Sequence, residues 1–144
     1  MTAGLPRFLA VDWNGTVVPW FGEAAYPDAL AVLHELRAQG VHIAVVSHAT
    51  PREISDDVAR VGLEADEVLG VGAKAPSLIR LADLWGDGVM IGDSPQDSRA
   101  AIAAALPFIQ ASFGHSSGFS AGFARLEAWR ELPTLLAARG GAAS

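Results

Sequence analysis

The chain of 144 residues contains no cysteine. This absence excludes disulfide bonds, thiolate metal sites and a cysteine nucleophile, and it favours a reducing, cytoplasmic setting. No apolar run approaches the ~20 residues that a membrane-spanning helix needs. Residues 1–7 also lack the basic region and apolar core of a signal peptide, so we expect no membrane partner.

Clusters of basic residues are missing as well. The chain has 10 Lys and Arg residues against 16 Asp and Glu, which gives a net charge of −6 at pH 7. This balance argues against a nucleic-acid partner, whose phosphates require a basic surface. Acidic residues gathered at one site would instead hold a divalent cation and reverse the local potential for an anionic substrate.

Hydrophobic residues make up 51% of the chain, and many of them stand in short apolar runs. Five segments are predicted to be strands: Phe8 to Val11, Val41 to Val46, Glu67 to Val71, Gly88 to Ile91, and Pro107 to Ile109. Five helices are predicted around them: from Pro27 to Gly40, from the capping box at Thr50 to Gly62, from Pro76 to Trp85, from the turn at Gly92 to about Ala105, and from Trp129 to Arg139.

Strands that alternate with helices in this way predict an α/β fold. We expect a single domain over residues 1–144, with a doubly wound, mostly parallel, five-stranded Rossmann-like sheet and helices on both faces. Ser112 to Gly122 is expected to be a loop, and Gly140 to Ser144 a disordered tail.

Polar residues follow the predicted strands at their carboxyl ends, where ligands bind in sheets of this kind. Each residue alone has an ordinary explanation: a turn aspartate, an acid favoured by the helix dipole, a surface lysine or a serine cap. Two or three carboxylates that converge at strand ends, however, suit Mg²⁺. The residues at these positions are Asp12, Asn14, Ser47, His48, Lys74, Asp93 and Asp97.

Taken together, these residues resemble the four motifs of haloacid dehalogenase (HAD) superfamily phosphohydrolases, over Phe8 to about Leu136. The motifs of that family are Asp-x-Asp-x-Thr after a strand, a strand ending in Ser or Thr, a Lys before a helix, and Gly-Asp followed by a second acid. Here they stand in order as Asp12-Trp13-Asn14-Gly15-Thr16, Val45-Val46-Ser47, Lys74, and Gly92-Asp93-Ser94-Pro95-Gln96-Asp97. The resemblance implies the HAD fold, and the short spacings between motifs imply that no cap domain is inserted.

The same resemblance implies a Mg²⁺-dependent phosphatase that acts on a small phosphomonoester. Asp12 would be the nucleophile and would form an aspartyl-phosphate. Ser47, His48 and Lys74 would bind the phosphate, with Lys74 also holding the Asp12 carboxylate. The implied Mg²⁺ ligands are Asp12, Asp93, Asp97 and the backbone carbonyl of Asn14.

Asn14 departs from the family pattern, because the family has an acid there that protonates the leaving oxygen. An amide cannot exchange a proton usefully near neutral pH, and general acid–base assistance is typically worth about 10²–10⁴-fold. A slow phosphatase, a phosphatase for good leaving groups and an enzyme with a substitute base such as His48 or His115 all stay open. So does a catalytically degenerate module that binds a phosphorylated ligand or a protein partner.

Aromatic residues cluster after the first strand. Trp13, Trp20 and Phe21 either line the entrance of the site or pack the end of that strand. Aromatic surface in an irregular segment is a common mark of association, so we also expect a homodimer.

Overall fold

The computed structural model describes residues 4–113 and 119–142, which contain a six-stranded sheet in the order β3-β2-β1-β4-β5-β6. Every pair of neighbouring strands is parallel. The strands are β1 (Phe8–Val11), β2 (His42–Ser47), β3 (Glu67–Gly70), β4 (Gly88–Gly92), β5 (Phe108–Ala111) and β6 (Ala124–Leu126). The helices are α1 (Ala29–Ala38), α2 (Pro51–Val61), α3 (Ala75–Trp85), α4 (Pro95–Ala103) and α5 (Leu132–Ala142), the last preceded by a 3₁₀ turn at Trp129–Glu131.

The α/β fold class predicted from the sequence is confirmed, but the sheet has six strands and not five. The additional strand, β6, pairs with β5, and Ala124 lies opposite Ile109. It has three residues, too few for an alternating or apolar pattern to stand out. The predicted disordered tail is wrong for residues 140–142, which continue α5.

β1 is the centre of the sheet because it pairs with β2 on one side and with β4 on the other. All four of its side chains are buried, as an apolar strand covered on both faces requires. One face of the sheet packs against α1, α2 and α5, and the other packs against α3 and α4. The strand order reverses at β1, so its carboxyl end lies at the switch point where such sheets bind ligands.

Local sequence signals set most of the helix starts. The capping box predicted at Thr50 is present, with Thr50 and Glu53 each accepting a hydrogen bond from the other's backbone N–H. The predicted start of α1 at Pro27 is wrong. Asp28 adopts a left-handed conformation with φ of 66°, and the helix begins at Ala29.

The crossovers between the first five strands are short. Each of them, within residues 4–113, holds a single helix, so no cap domain is inserted between these strands. None of the helices in the described part of the chain has the length and apolar character needed to cross a bilayer.

Gly70 ends β3 against the connection that follows β2. A Cβ at Gly70 would lie 2.6 Å from backbone atoms of Ala49, Thr50 and Pro51, whereas a Cβ at Gly72 would meet nothing within 4 Å. We expect Gly70→Ala to lower the free energy of unfolding by about 1–3 kcal/mol, because backbone atoms must shift to make room. Urea unfolding of this variant and of Gly72→Ala, the matched control, measures the effect. Equal changes in the two variants would contradict the close approach.

Candidate active site

Four functional side chains predicted from the sequence meet at the carboxyl end of the sheet. Asp12 directly follows β1, Asp93 directly follows β4, Asp97 lies in the first turn of α4, and Lys74 precedes α3. Oxygen atoms of the three carboxyl groups lie within 4.8 Å of one another. Three separate crossovers of the chain therefore converge at one point.

Lys74 joins two of these carboxylates. Its Nζ donates to Asp12 Oδ1 at 2.7 Å and to Asp97 Oδ1 at 2.6 Å, although the residue is only 4% exposed. Burial alone would lower the pKa of Lys74, but the adjacent Asp12 and Asp97 carboxylates hold it above its ordinary value. Lys74 is thus a buried, charged ammonium with one donor left for a further ligand.

Asp97 also fixes the turn between β4 and α4. Its Oδ2 accepts hydrogen bonds from the backbone N–H of Asp93 at 3.1 Å and of Ser94 at 3.2 Å, while the Ser94 hydroxyl caps the helix in return. A side chain at Gly92 would collide with the Asp97 carboxylate, so glycine is needed there. Asp97 is therefore more than an acid that the helix dipole favours in a first turn. It binds Lys74 and holds the turn in place.

Burial raises the pKa of each carboxyl group in the cluster. The attraction of Lys74 offsets part of the rise in the pKa of Asp12. Repulsion between the acids adds to the rise for the other two: the Asp97 charge raises the pKa of Asp93, and the Asp12 charge raises the pKa of Asp97. One lysine cannot balance three carboxylates in a region shielded from water. The donor set fits a divalent cation such as Mg²⁺, which binds carboxylate oxygens and would remove this repulsion.

The turn after Asp12 packs directly against Asp93. Gly15 has a φ of 79°, in the left-handed region that favours glycine, and a side chain there would collide with the Asp93 carboxylate. The side-chain oxygen of Asn14 is buried in this turn, and no described donor reaches it. This oxygen is thus an acceptor that no described group satisfies, whereas the ligand predicted at this residue was the backbone carbonyl.

Ser47 and His48 lie at the end of β2. Ser47 is buried, and its Oγ accepts a hydrogen bond from the Ala49 N–H at 3.3 Å, so its own hydroxyl hydrogen can point to a ligand. His48 is exposed and lines a cavity beside Lys74. His115, the other histidine considered as a substitute base, lies outside the described residues.

The aromatic residues after β1 divide into two groups. Trp13 is fully buried, and Phe21 packs against the core, so neither fits the entrance alternative. Trp20 is 61% exposed and contacts Phe21 edge to face at 5.7 Å between ring centroids. This segment thus presents one large aromatic side chain to solvent.

Sequence reasoning missed Asp57, a buried carboxylate on α2 that anchors the segment after Asp12. It accepts hydrogen bonds from Trp13 Nε1 at 2.7 Å, from the Gly22 backbone N–H at 3.1 Å and from Arg60 Nε at 2.7 Å. Burial alone would raise the pKa of Asp57, but the hydrogen bonds from Arg60, Trp13 and Gly22 hold it below its usual value. Its position between Ile54 and Val61, on the apolar face of α2, is the signal that could have identified it.

Known proteins resemble this chain in part of its sequence and in its fold. No protein-family model matches the chain. It is 32% identical over 127 residues to a phosphoglycolate phosphatase of Rhodospirillum rubrum, a match covering 79% of the chain and 51% of that protein. The chain spans about half the length of the curated relative that it matches.

Solved structures share the fold over nearly the whole chain. One is a HAD-superfamily hydrolase of Ehrlichia chaffeensis, with a TM-score of 0.71 and 13% identity over 92% of this chain and 96% of that one. Another is the 3-deoxy-D-manno-octulosonate 8-phosphate phosphatase of Moraxella catarrhalis in complex with magnesium, phosphate and its sugar acid. Its TM-score is 0.70 and its identity 18%, over 94% of this chain and 87% of that one. The chain has the α/β fold of these HAD-type structures.

The Asp57 anchor leads to a pH-dependent prediction. We expect Asp57→Asn to lower the free energy of unfolding by about 1–3 kcal/mol at pH 7, because the buried donors lose a charged acceptor. A carboxyl whose pKa is depressed in the folded state stabilises it above the unfolded pKa of about 3.9 and loses that effect as the pH falls. The difference from wild type should therefore shrink on acidification.

Urea unfolding at a series of pH values measures this difference. Asp56→Asn is the matched control, because Asp56 is an exposed neighbour on the same helix with only a distant pairing, 3.9 Å, to Arg52. A loss for Asp57→Asn that stays constant as the pH falls from about 5 to below about 3, through the unfolded pKa, or one equal to that of the control, would contradict the anchor.

Proposed function

We propose that this chain is a Mg²⁺-dependent phosphatase that hydrolyses a small phosphomonoester through an aspartyl-phosphate on Asp12. The observation that carries the proposal is the buried cluster in which Lys74 Nζ contacts Asp12 and Asp97 at 2.7 and 2.6 Å, with Asp93 beside them. A nucleophile, a cation for the phosphate and a metal-binding acid set are the parts that phosphoryl transfer needs. The phosphatase names of its relatives support the same reading.

Asp12 is the proposed nucleophile because Lys74 orients its carboxylate through Oδ1 within the cluster. We assign the attack on phosphorus to the other oxygen, Oδ2. The new Oδ2–P bond forms as the bond from phosphorus to the leaving oxygen breaks, and that oxygen takes up a proton from solvent. Water then attacks phosphorus and gives a proton to solvent, the Oδ2–P bond breaks, inorganic phosphate is released and the free carboxylate is regenerated.

The metal would be held by Asp12, Asp93, Asp97 and Asn14. The three acidic residues carry the negative charge that attracts it. When bound, Mg²⁺ would reduce the repulsion between the Asp12 carboxylate and an anionic phosphate. Lys74 would give its third N–H to a phosphoryl oxygen. Ser47 and His48, at the end of β2, would donate further hydrogen bonds to the phosphate.

Asn14 limits the rate in this scheme, because it cannot give a proton to a poor leaving group. The buried, unpartnered oxygen of Asn14 favours a positioning role for this side chain. A module that binds a phosphorylated ligand without turnover is therefore the second candidate. The two functions differ in whether a substrate with a good leaving group is hydrolysed.

Turnover of p-nitrophenyl phosphate with and without Mg²⁺ tests the proposed function, since an aryl leaving group depends little on acid catalysis. We expect turnover to require Mg²⁺. In Asp93→Asn, both turnover and the affinity for Mg²⁺ measured by calorimetry should fall at least about tenfold. Asp83→Asn, which removes an exposed acid from α3, is the control and should match wild type. Absence of turnover in wild type would favour the binding module, and equal Mg²⁺ affinity of wild type and Asp93→Asn would contradict the metal assignment.

Restoring a carboxylate at residue 14 tests the role of Asn14. We expect Asn14→Asp to raise the turnover of alkyl phosphates by about 10²-fold and that of aryl phosphates much less, because a poor leaving group needs the proton most. Steady-state kinetics with glycerol 3-phosphate and p-nitrophenyl phosphate measure the difference. If wild type already hydrolyses the alkyl ester rapidly, another group supplies the proton, and His48→Ala is the variant that identifies it.

A further inference from the structure

We propose that Arg99, with Gln96, binds a second anionic group of the substrate in a cavity beside Lys74. The inference rests on the proposed function for the position of the reacting phosphate. It goes beyond that function by naming the substrate class, a phosphomonoester with a second negative charge, and the residues that recognise it.

The cavity opens at the same edge of the sheet as the acidic cluster. Its volume is ≈ 280 Å³, and its lining includes His48, Gly72, Ala73, Lys74, Gln96 and Arg99. Its lining residues thus come from three segments: the β2–α2 connection, the β3–α3 connection and α4. Ligand pockets for drug-sized molecules begin at about 300 Å³, so this cavity suits a small metabolite.

The charge of the lining selects for an anion. In a chain of net charge −6, the residues that line this cavity include no aspartate or glutamate. Lys74 and Arg99 provide positive charge, and the Gln96 amide adds neutral donors. An anionic group would therefore enter without meeting a carboxylate.

Arg99 is available for a ligand. Several other arginines are held by carboxylates: Arg37 by Asp66, Arg60 by Asp57, Arg80 by Glu67 and Arg130 by Glu35. Arg99 is exposed on α4 and forms no ion pair with any residue that the structure describes. Its planar guanidinium can bind a carboxylate or a phosphate through two parallel hydrogen bonds.

Lys74 cannot bind both anionic groups. Two of its three N–H donors are used by Asp12 and Asp97, which leaves one for the reacting phosphate. A second anionic group needs another cation, and Arg99 lines the same cavity as Lys74. Gln96, three residues before Arg99, lies on the same side of α4.

Matched substrate pairs test the inference. 3-Phosphoglycerate and glycerol 3-phosphate share a three-carbon skeleton and a primary alkyl leaving oxygen, and differ in one carboxylate. Fructose 1,6-bisphosphate and fructose 6-phosphate differ in one phosphate. We expect wild type to prefer the doubly anionic member of at least one pair by about tenfold or more in kcat/KM, and the preferred pair identifies the second group as carboxylate or phosphate.

Removing the Arg99 charge should abolish this preference. In Arg99→Gln we expect the ratio of the two kcat/KM values to fall by about tenfold or more, and Arg99→Lys should restore part of it. Arg125→Gln is the control, because Arg125 is an exposed arginine on β6 that does not line the cavity. A wild-type enzyme without preference in either pair, or a preference that survives in Arg99→Gln, would overturn the inference.

Binding measurements separate this inference from the proposed function. If wild type hydrolyses no phosphomonoester, including p-nitrophenyl phosphate, the phosphatase proposal fails, and calorimetry with 3-phosphoglycerate and glycerol 3-phosphate decides the inference. Tighter binding of the acid in wild type, lost in Arg99→Gln and kept in Arg125→Gln, supports it. Equal affinities, or no binding of either compound, would reject it.

Discussion

The carboxyl edge of this sheet depends on one buried ammonium group, the side chain of Lys74, which is the single lysine of the chain. Lys74 and Asp97 are almost completely inaccessible to water, so the desolvation of their charges must be offset by the contacts between them. Removing either partner would leave an uncompensated buried charge, which typically costs about 3–5 kcal/mol. The ion pairs to Asp12 and Asp97 therefore connect β1, α3 and α4 as well as arranging a reactive site.

Close backbone approach makes this charge cluster possible. Gly15 and Gly92 lie where any side chain would collide with the Asp93 or Asp97 carboxylate. The Asp97 carboxylate then uses one oxygen for Lys74 and the other for the backbone of its own turn. Because each group in the cluster has more than one role, the carboxylates are held in place before any ligand binds, which is the condition for electrostatic stabilisation without reorganisation.

The sequence predicted what parallel-sheet geometry alone determines. Strand ends converge, so Asp12, Lys74 and Asp93 could be assigned to one edge of the sheet, and the contact between Lys74 and Asp12 was expected from the family resemblance. Contacts set by tertiary packing could not be predicted. The short β6 depends on pairing with β5, and the role of Asp57 depends on the approach of Trp13 and Gly22 from elsewhere in the chain.

The same charge cluster gives a physical reason for an amide at residue 14. The pKa values of Asp12, Asp93 and Asp97 are already raised by burial, with repulsion between the acids adding to the effect. A fourth carboxylate in the adjoining turn would increase that repulsion while Lys74 remained the cluster's only paired cation among the described residues. Asparagine keeps the size and the acceptor oxygen of aspartate without the charge. Asparagine thus relieves electrostatic repulsion in the absence of a ligand, and under the proposed function it would make turnover depend more strongly on the leaving group.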